Sequence, residues 1–417
     1  MKEDVQMQTS RRGARGAFLL LLFIAVIAGI TSPAAGQTEP GVTSSEIVLG
    51  GTQPFSGPLG VYSAIGKGSQ AYFAYVNDNG GVNGRKITYK NLDGFDPAQT
   101  VPLTHQLVEQ DRVFAIFNTL GDATNIAIRP YLNAHGVPQL FLPSGAYTWG
   151  ADSAQYPLTI GYGLPYLSDA ALFGRYIAAH APAAKIGVLD EDSGAFGPET
   201  LDGLTKGLGA KSGAIVKIAK YELADPDVKS QVADLKNSGA DTLVLFTSPK
   251  FATQALIAAS QLAWKPTIYL SNISPSQTVM RAATAQGGPG ATDGVISAGY
   301  LKDPTSAMWD ADRGMKLYRQ ILSKYEPSAD PNNGMYVYGM GVAFTMVDVL
   351  QRAGKDLTRA KLMAATNSLH ETNNPFVFPG ISIDISPTNR FPIHQEHLIR
   401  YTSGNWVSAG SIVDTNQ

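Results

Sequence analysis

No cysteine occurs among the 417 residues, which excludes disulfide scaffolds, thiol nucleophiles, thiolate metal ligands and thiol-linked lipid anchors together. Charge of one sign is missing as well: 32 Lys and Arg stand against 34 Asp and Glu, a formal balance of −2. No basic stripe with interleaved aromatics occurs, so nucleic acid is not an expected partner. Long hydrophobic runs are also absent. The longest, Phe18 to Ile30, makes only about 20 Å of helix against a bilayer core of about 30 Å, too short for a permanent anchor.

That short run has another reading. Lys2, Arg11, Arg12 and Arg15 precede it, and Ser-Pro-Ala-Ala-Gly-Gln follows at 32–37, the layout of a cleavable secretory signal peptide. Cleavage is expected after Gly36. Arg11-Arg12 lacks the apolar continuation of a twin-arginine signal, so the general secretory route and a periplasmic location are expected. Removing 1–36 leaves 28 basic against 32 acidic residues.

With 44% apolar residues, 43 Gly and 25 Pro, the composition is that of an ordinary globular chain long enough for two cores. After a polar linker at 37–44, strand-like and helix-like patterns alternate. Strands are expected at Ile47-Val48-Leu49, Lys86 to Tyr89, Val113 to Phe117 and Gln139 to Leu142, with helices between them. A second series has strands Ile186 to Leu189, Ile215 to Tyr221, Thr242 to Phe246 and Thr267 to Leu270. Such βα rhythm implies parallel sheets. Three passages rich in Gly, Pro or Asn, at 162–165, 287–294 and 373–379, suggest a three-stranded hinge. The fold class expected is α/β, with two Rossmann-like lobes. Lobe 1 comprises 45–163 with 295–372, and lobe 2 comprises 164–294 with 373–417.

Enzyme motifs are scarce. There is no G-x-S-x-G and no H-E-x-x-H. The stretch from Gly60 to Lys67 has five residues between its glycines and Gly68 where a phosphate loop needs Ser or Thr. His394-Gln395-Glu396-His397 crowds three possible metal ligands, yet residues three apart on a strand point to opposite faces, so a solvated surface cluster is expected and no metal. Polar loops at strand ends carry more information, because open α/β sheets bind ligands outside the carboxyl ends of their strands. One loop holds Phe55 and Tyr62, a second Gly121, Asp122 and Thr124, and a third Ser144, Ala146 and Tyr147. Taken singly, each is an ordinary turn with Asp122 and Ser144 as caps; together on one sheet edge they outline a ligand site.

The motifs Phe55-Ser56-Gly57-Pro58, Asn79-Gly80-Gly81-Val82-Asn83-Gly84-Arg85, Asp93 to Ala98, Val137-Pro138-Gln139 with Ser144-Gly145-Ala146, and Phe196-Gly197 resemble the periplasmic branched-chain amino-acid-type binding proteins of bacterial ABC importers. These are type I, leucine-binding-like receptors, and the resemblance spans about residues 45–410. It implies two lobes closing on a small solute and delivery to an inner-membrane ABC permease, as a monomer, without cofactor or catalysis. It also implies a ligand carboxylate held by Gly121, Thr124, Ser144 and Ala146, Tyr62 covering the ligand, and Phe196 facing it. Ser248 and Asn272, at strand ends of the second series, complete the expected site. Relatives that take amino acids place an acidic side chain near position 272. Asn272 brings no charge, so an acid or a neutral amide is expected in preference to an amino acid. A ligand-sensing module and a secreted enzyme are the alternatives to a transport receptor.

Overall fold

The computed structural model describes residues 39–57 and 59–415; the expected signal peptide lies outside them. Two sheets organise the chain. The first contains β1 (Glu46–Gln53), β2 (Lys86–Asp93), β3 (Ala115–Phe117), β4 (Gln139–Leu142) and β5 (Thr159–Gly161), ordered β2-β1-β3-β4-β5 and parallel throughout. Its helices are α1 (Ser63–Asp78), α2 (Pro97–His105), α3 (Asp122–Ala134) and the single turn α4 (Thr148–Ala151). Alternation along β1 decides which face is which. Ile47 and Leu49 enter the large core under α1, whereas Val48 meets Leu107, Ile128 and Leu132 on the side of α2 and α3.

The second sheet begins with β6 (Ile186–Glu191), β7 (Ile215–Tyr221), β8 (Thr242–Phe246), β9 (Thr267–Leu270) and β10 (Ile296–Gly299). Between them run α5 (Tyr166–His180), α6 (Phe196–Leu208), α7 (Lys229–Asn237), α8 (Pro249–Gln261) and α9 (Gln277–Gly287). Leu243, Leu245 and Leu270 face α8 and α9, while Val244, Phe246 and Tyr269 face α5 and α6. Strands buried on both sides read as continuous apolar runs, which is why Thr242-Leu-Val-Leu-Phe stands out in the sequence.

The chain then returns to the first lobe. Helices α10 (Arg313–Tyr325), α11 (Gly334–Ala353) and α12 (Arg359–Thr366) pack Met315, Val337, Met340 and Leu362 into the first core. A two-residue ribbon, β11 (His370–Glu371) with β12 (Ile383–Asp384), follows. Finally β13 (Gln395–Thr402) and β14 (Asn405–Asp414) form an antiparallel hairpin, and β13 pairs antiparallel with β10. The second sheet is thus ordered β14-β13-β10-β9-β8-β6-β7.

Because β10 belongs to the second sheet and Ile381 to Ile393 pack in the first core, the second and third crossings lie nearer residues 300 and 394 than the expected 295 and 373. The second crossing is tied to the segment after β11: Lys302 N donates to Phe376 O (3.0 Å) and Phe378 N to Tyr300 O (2.8 Å). The first crossing, at 162–165, holds on to α11, where the Tyr162 hydroxyl bonds Thr345 (2.8 Å) and Tyr338 donates to Tyr162 O (2.9 Å). Thr345 and Asn374 donate in turn to the buried Glu371.

The expectation of a solvated cluster at 394–397 is corrected. Glu396 is fully buried, because even-numbered residues of β13 turn toward α5. It faces Asp169 there, and burial drives both carboxyls above their usual range, Glu396 the further. One proton is therefore retained between them. His394 is also buried, held between Asp414 (3.1 Å) and Asp384 (3.5 Å).

Candidate functional site

The loops at the carboxyl end of the first sheet are shaped by local bonds. Asp93, ending β2, accepts from Phe55 N (2.8 Å) and Ser56 N (3.2 Å). The loop after β1 is thereby pinned, and its last turn delivers Tyr62 just before α1. After β3, Asn125 donates to Thr119 O (2.7 Å) and Gly121 O (2.8 Å), and Gly121 takes φ 103°, a conformation reserved for glycine. In β4, Phe141 has φ 60° where the register shifts, so Ser144 emerges at the edge beside Asp122.

Gly121, not Asp122, is the N-cap of α3, and no side chain caps that helix. The capping role expected of Asp122 is therefore absent, because its carboxylate turns instead to accept from the Ser144 hydroxyl. Burial, with Glu191 nearby, pushes this carboxyl up to about 6 against the opposing Ser144 bond. Ser144 Oγ also accepts from Trp149 Nε1 (2.6 Å) and Ala146 N (3.1 Å). Thr124 Oγ1 donates to Phe95 O. Every side-chain donor expected to hold a ligand carboxylate is thus bonded to a protein acceptor.

On the second lobe, Glu191 at the end of β6 accepts from Tyr221 OH (2.5 Å), Ser193 Oγ (2.7 Å) and Ser248 N (3.0 Å). After β9, Ser271 Oγ (3.2 Å) and Asn272 N (3.4 Å) donate to Asp169, so the buried carboxyl pair fixes the turn presenting Asn272. The lobes meet where Tyr147 N donates to both oxygens of Glu199 on α6 (3.0 and 2.9 Å). Burial raises Glu199 to about 7 despite that bond, with Asp122 adding to the rise.

Between the lobes lies a cavity of about 250 Å³, a size for a small solute rather than a drug-sized one. Its walls are apolar and aromatic: Ile65, Leu164, Ile399 and Met335 with Tyr62, Tyr166, Tyr300 and Tyr338. Burial, with Glu191 across the cleft, lifts the Tyr62 phenol well above its usual value; it stays neutral. Lys302 also lines the cavity, but its ammonium is spent on Asp312 (2.9 and 3.0 Å) and Pro375 O (2.9 Å).

Of the residues expected from sequence, Tyr62, Ser144 and Asn272 line this cavity. Asp122 and Ala146 bond Ser144, Thr124 bonds Phe95 O, and neither these three nor Gly121 is in the lining. Phe196 stands behind Tyr166, edge-on at 4.9 Å, so Tyr166 holds the place expected for Phe196. Tyr147 is exposed and stacked on Phe391 at 5.0 Å, Ser248 serves Glu191, and Phe55 is absent from the lining. Tyr166, Gln277, Tyr300, Asp303 and Trp406 line it without having been singled out. The one local signal was position: Gln277 opens a helix, and Tyr300 to Asp303 follow a strand.

A family model described as periplasmic binding protein matches residues 46–405. Among curated proteins, a Leu/Ile/Val-binding protein homolog 7 of Brucella abortus is 26% identical over 245 residues, covering 56% of this chain and 60% of that protein. The chain thus spans about three fifths of the length of that relative. Among solved structures, a branched-chain amino acid ABC transporter protein from Thermus thermophilus with bound valine superposes with a TM-score of 0.77 at 16% identity, covering 89% of this chain and 97% of that one. A fatty acid ABC transporter substrate-binding protein from Thermomonospora curvata gives 0.73 at 21% identity, covering 90% and 94%. At such identity these structures establish the fold alone.

Proposed function

The chain belongs to the periplasmic binding protein family, in its type I, leucine-binding-like form, and from that membership we propose that it is the solute receptor of an ABC importer. In this reading a signal peptide at 1–36 takes it to the periplasm, where it acts as a monomer. Its two lobes close on a small amino-acid-like, acidic or amide solute, and the closed form is what an inner-membrane permease engages. The observation that carries the reading is the cavity, walled by Tyr62 and Ser144 of one lobe and Asn272 and Tyr166 of the other. A solute touching both walls favours the closed arrangement by its differential affinity for it. Capture without conversion fits the family, whose members are binding proteins.

Thermal-shift screening of the purified protein against small solutes tests this. A stoichiometric hit that raises the melting temperature and is recovered unchanged supports the receptor; conversion of the hit to product overturns it. With such a hit, Tyr62→Ala is expected to weaken binding more than tenfold while the unliganded melting temperature stays put. Equal affinity would place Tyr62 outside the contact.

A further inference from the structure

Among the described residues, four polar atoms of cavity-lining side chains are buried and have no partner. Two accept: Asp303 Oδ2 and Gln277 Oε1. Two donate: Asn272 Nδ2 and Trp406 Nε1. Gln277 and Trp406 are each at least nine-tenths buried, and a polar atom left unpaired in such a place costs on the order of 1–3 kcal/mol. Their neighbours hold them where they are. Gln277 Nε2 donates to Tyr401 OH (3.1 Å) and Gly404 O (2.7 Å), and Trp406 packs edge-on against Tyr401 at 5.2 Å. Thr305 spends its amide and hydroxyl on Asp303 Oδ1 (2.9 and 2.7 Å), leaving Oδ2 over.

Charge acts in the same direction. Lys302, the one cationic side chain among the described residues of the lining, has all three protons committed. The Ser144 hydroxyl already serves the Asp122 carboxylate, so an incoming carboxylate near it meets a like charge instead of a donor. Asp303 adds a second carboxyl; burial raises it above its usual range, against the Thr305 bonds and the exposed Arg281, with which it forms no ion pair among the described residues.

Resting on the receptor reading above, we infer that this cleft recognises nitrogen donors set beside an oxygen acceptor, and rejects a simple carboxylic acid of the same shape. A carboxamide is the smallest group that satisfies both acceptors and a donor at once: its two N–H bonds go to Asp303 and Gln277, its oxygen to Asn272 or Trp406. The ammonium and carboxylate of a zwitterionic amino acid share this chemistry. A carboxylate alone leaves Asp303 and Gln277 unpaired and adds repulsion from Asp303 and Asp122. The apolar walls take the rest of the solute.

Calorimetry on the intact protein with three matched probes, 4-methylpentanamide, leucine and 4-methylpentanoate, together with benzamide and benzoate, separates the possibilities. The nitrogen-bearing probe of at least one set is expected to bind tenfold or more tighter than its acid. Leucine above the amide assigns the donor as an ammonium; the amide above leucine assigns a carboxamide. Asp303→Asn is expected to weaken the nitrogen-bearing probe tenfold and to strengthen the acid. Asp122→Asn is expected to strengthen the acid. An acid binding as tightly as its amide and as leucine overturns the inference and leaves the receptor standing. Chemical turnover of a bound probe overturns the receptor and leaves the recognition intact. Binding of none overturns both.

Discussion

Asp122 and Glu199 face each other's lobes across the cleft mouth, and both carboxyls are raised by burial, to about 6 and about 7 from ordinary values of 3.8 and 4.5. A raised carboxyl means that the folded, closed arrangement binds a proton more tightly than the unfolded chain does. Its stabilising effect is therefore full below about pH 4 and is lost as pH rises through 6 to 7. The melting temperature is expected to fall between pH 5 and pH 8, and to fall less in an Asp122→Asn, Glu199→Gln double variant. Glu371, Asp190 and the Asp169–Glu396 pair are raised too. They slope the same way in both proteins, so the difference between the two curves is the quantity to read. Superimposable curves would mean that the two cleft carboxyls are solvated.

Among the elements, α5 and α6 meet through small residues. A β-carbon on Gly203 would lie 2.2 Å from Leu167 O, and one on Gly207 2.2 Å from Ala171 O, so backbone touches backbone. Gly203→Val is expected to cost more than about 2 kcal/mol, read from urea unfolding, because neither helix can yield without leaving its core. Gly213→Ala, where nothing lies within 4 Å, is the control, expected within about 0.5 kcal/mol. Equal costs would dissolve the close-packing argument.

The same elements separate what sequence pattern reveals from what it hides. β8 and β9 were placed to the residue, since strands covered on both faces are short apolar runs bounded by turns. Helix α11 gave no such cue: thirteen of its twenty residues are buried, so no polar stripe marks its period. The hairpin β13–β14 alternates only partly, because one face buries Glu396 where an apolar side chain would be expected. At the site, loops after strands were found by topology. Asp303, Gln277 and Trp406 are not, since what makes them significant is a buried polar atom left without a partner once the chain has packed.

For the whole molecule, two lobes joined by three crossings make closure the motion of interest. Small-angle scattering of the protein with a calorimetrically confirmed solute is expected to show a smaller radius of gyration than without it. An unchanged radius at saturation would mean that solute enters without hinge movement.

The placement of the last strands sets a timetable. The first core takes Ile393, and the second sheet is left with an open edge at β10 until β13 pairs there. Neither lobe can therefore be finished before the stretch from Ile393 through β13 has emerged. A ribosome stalled near residue 390 holds two half-built lobes instead of one mature lobe and a tail, with β10 bare and prone to pair with any passing strand. Long-range closure of this kind is slow.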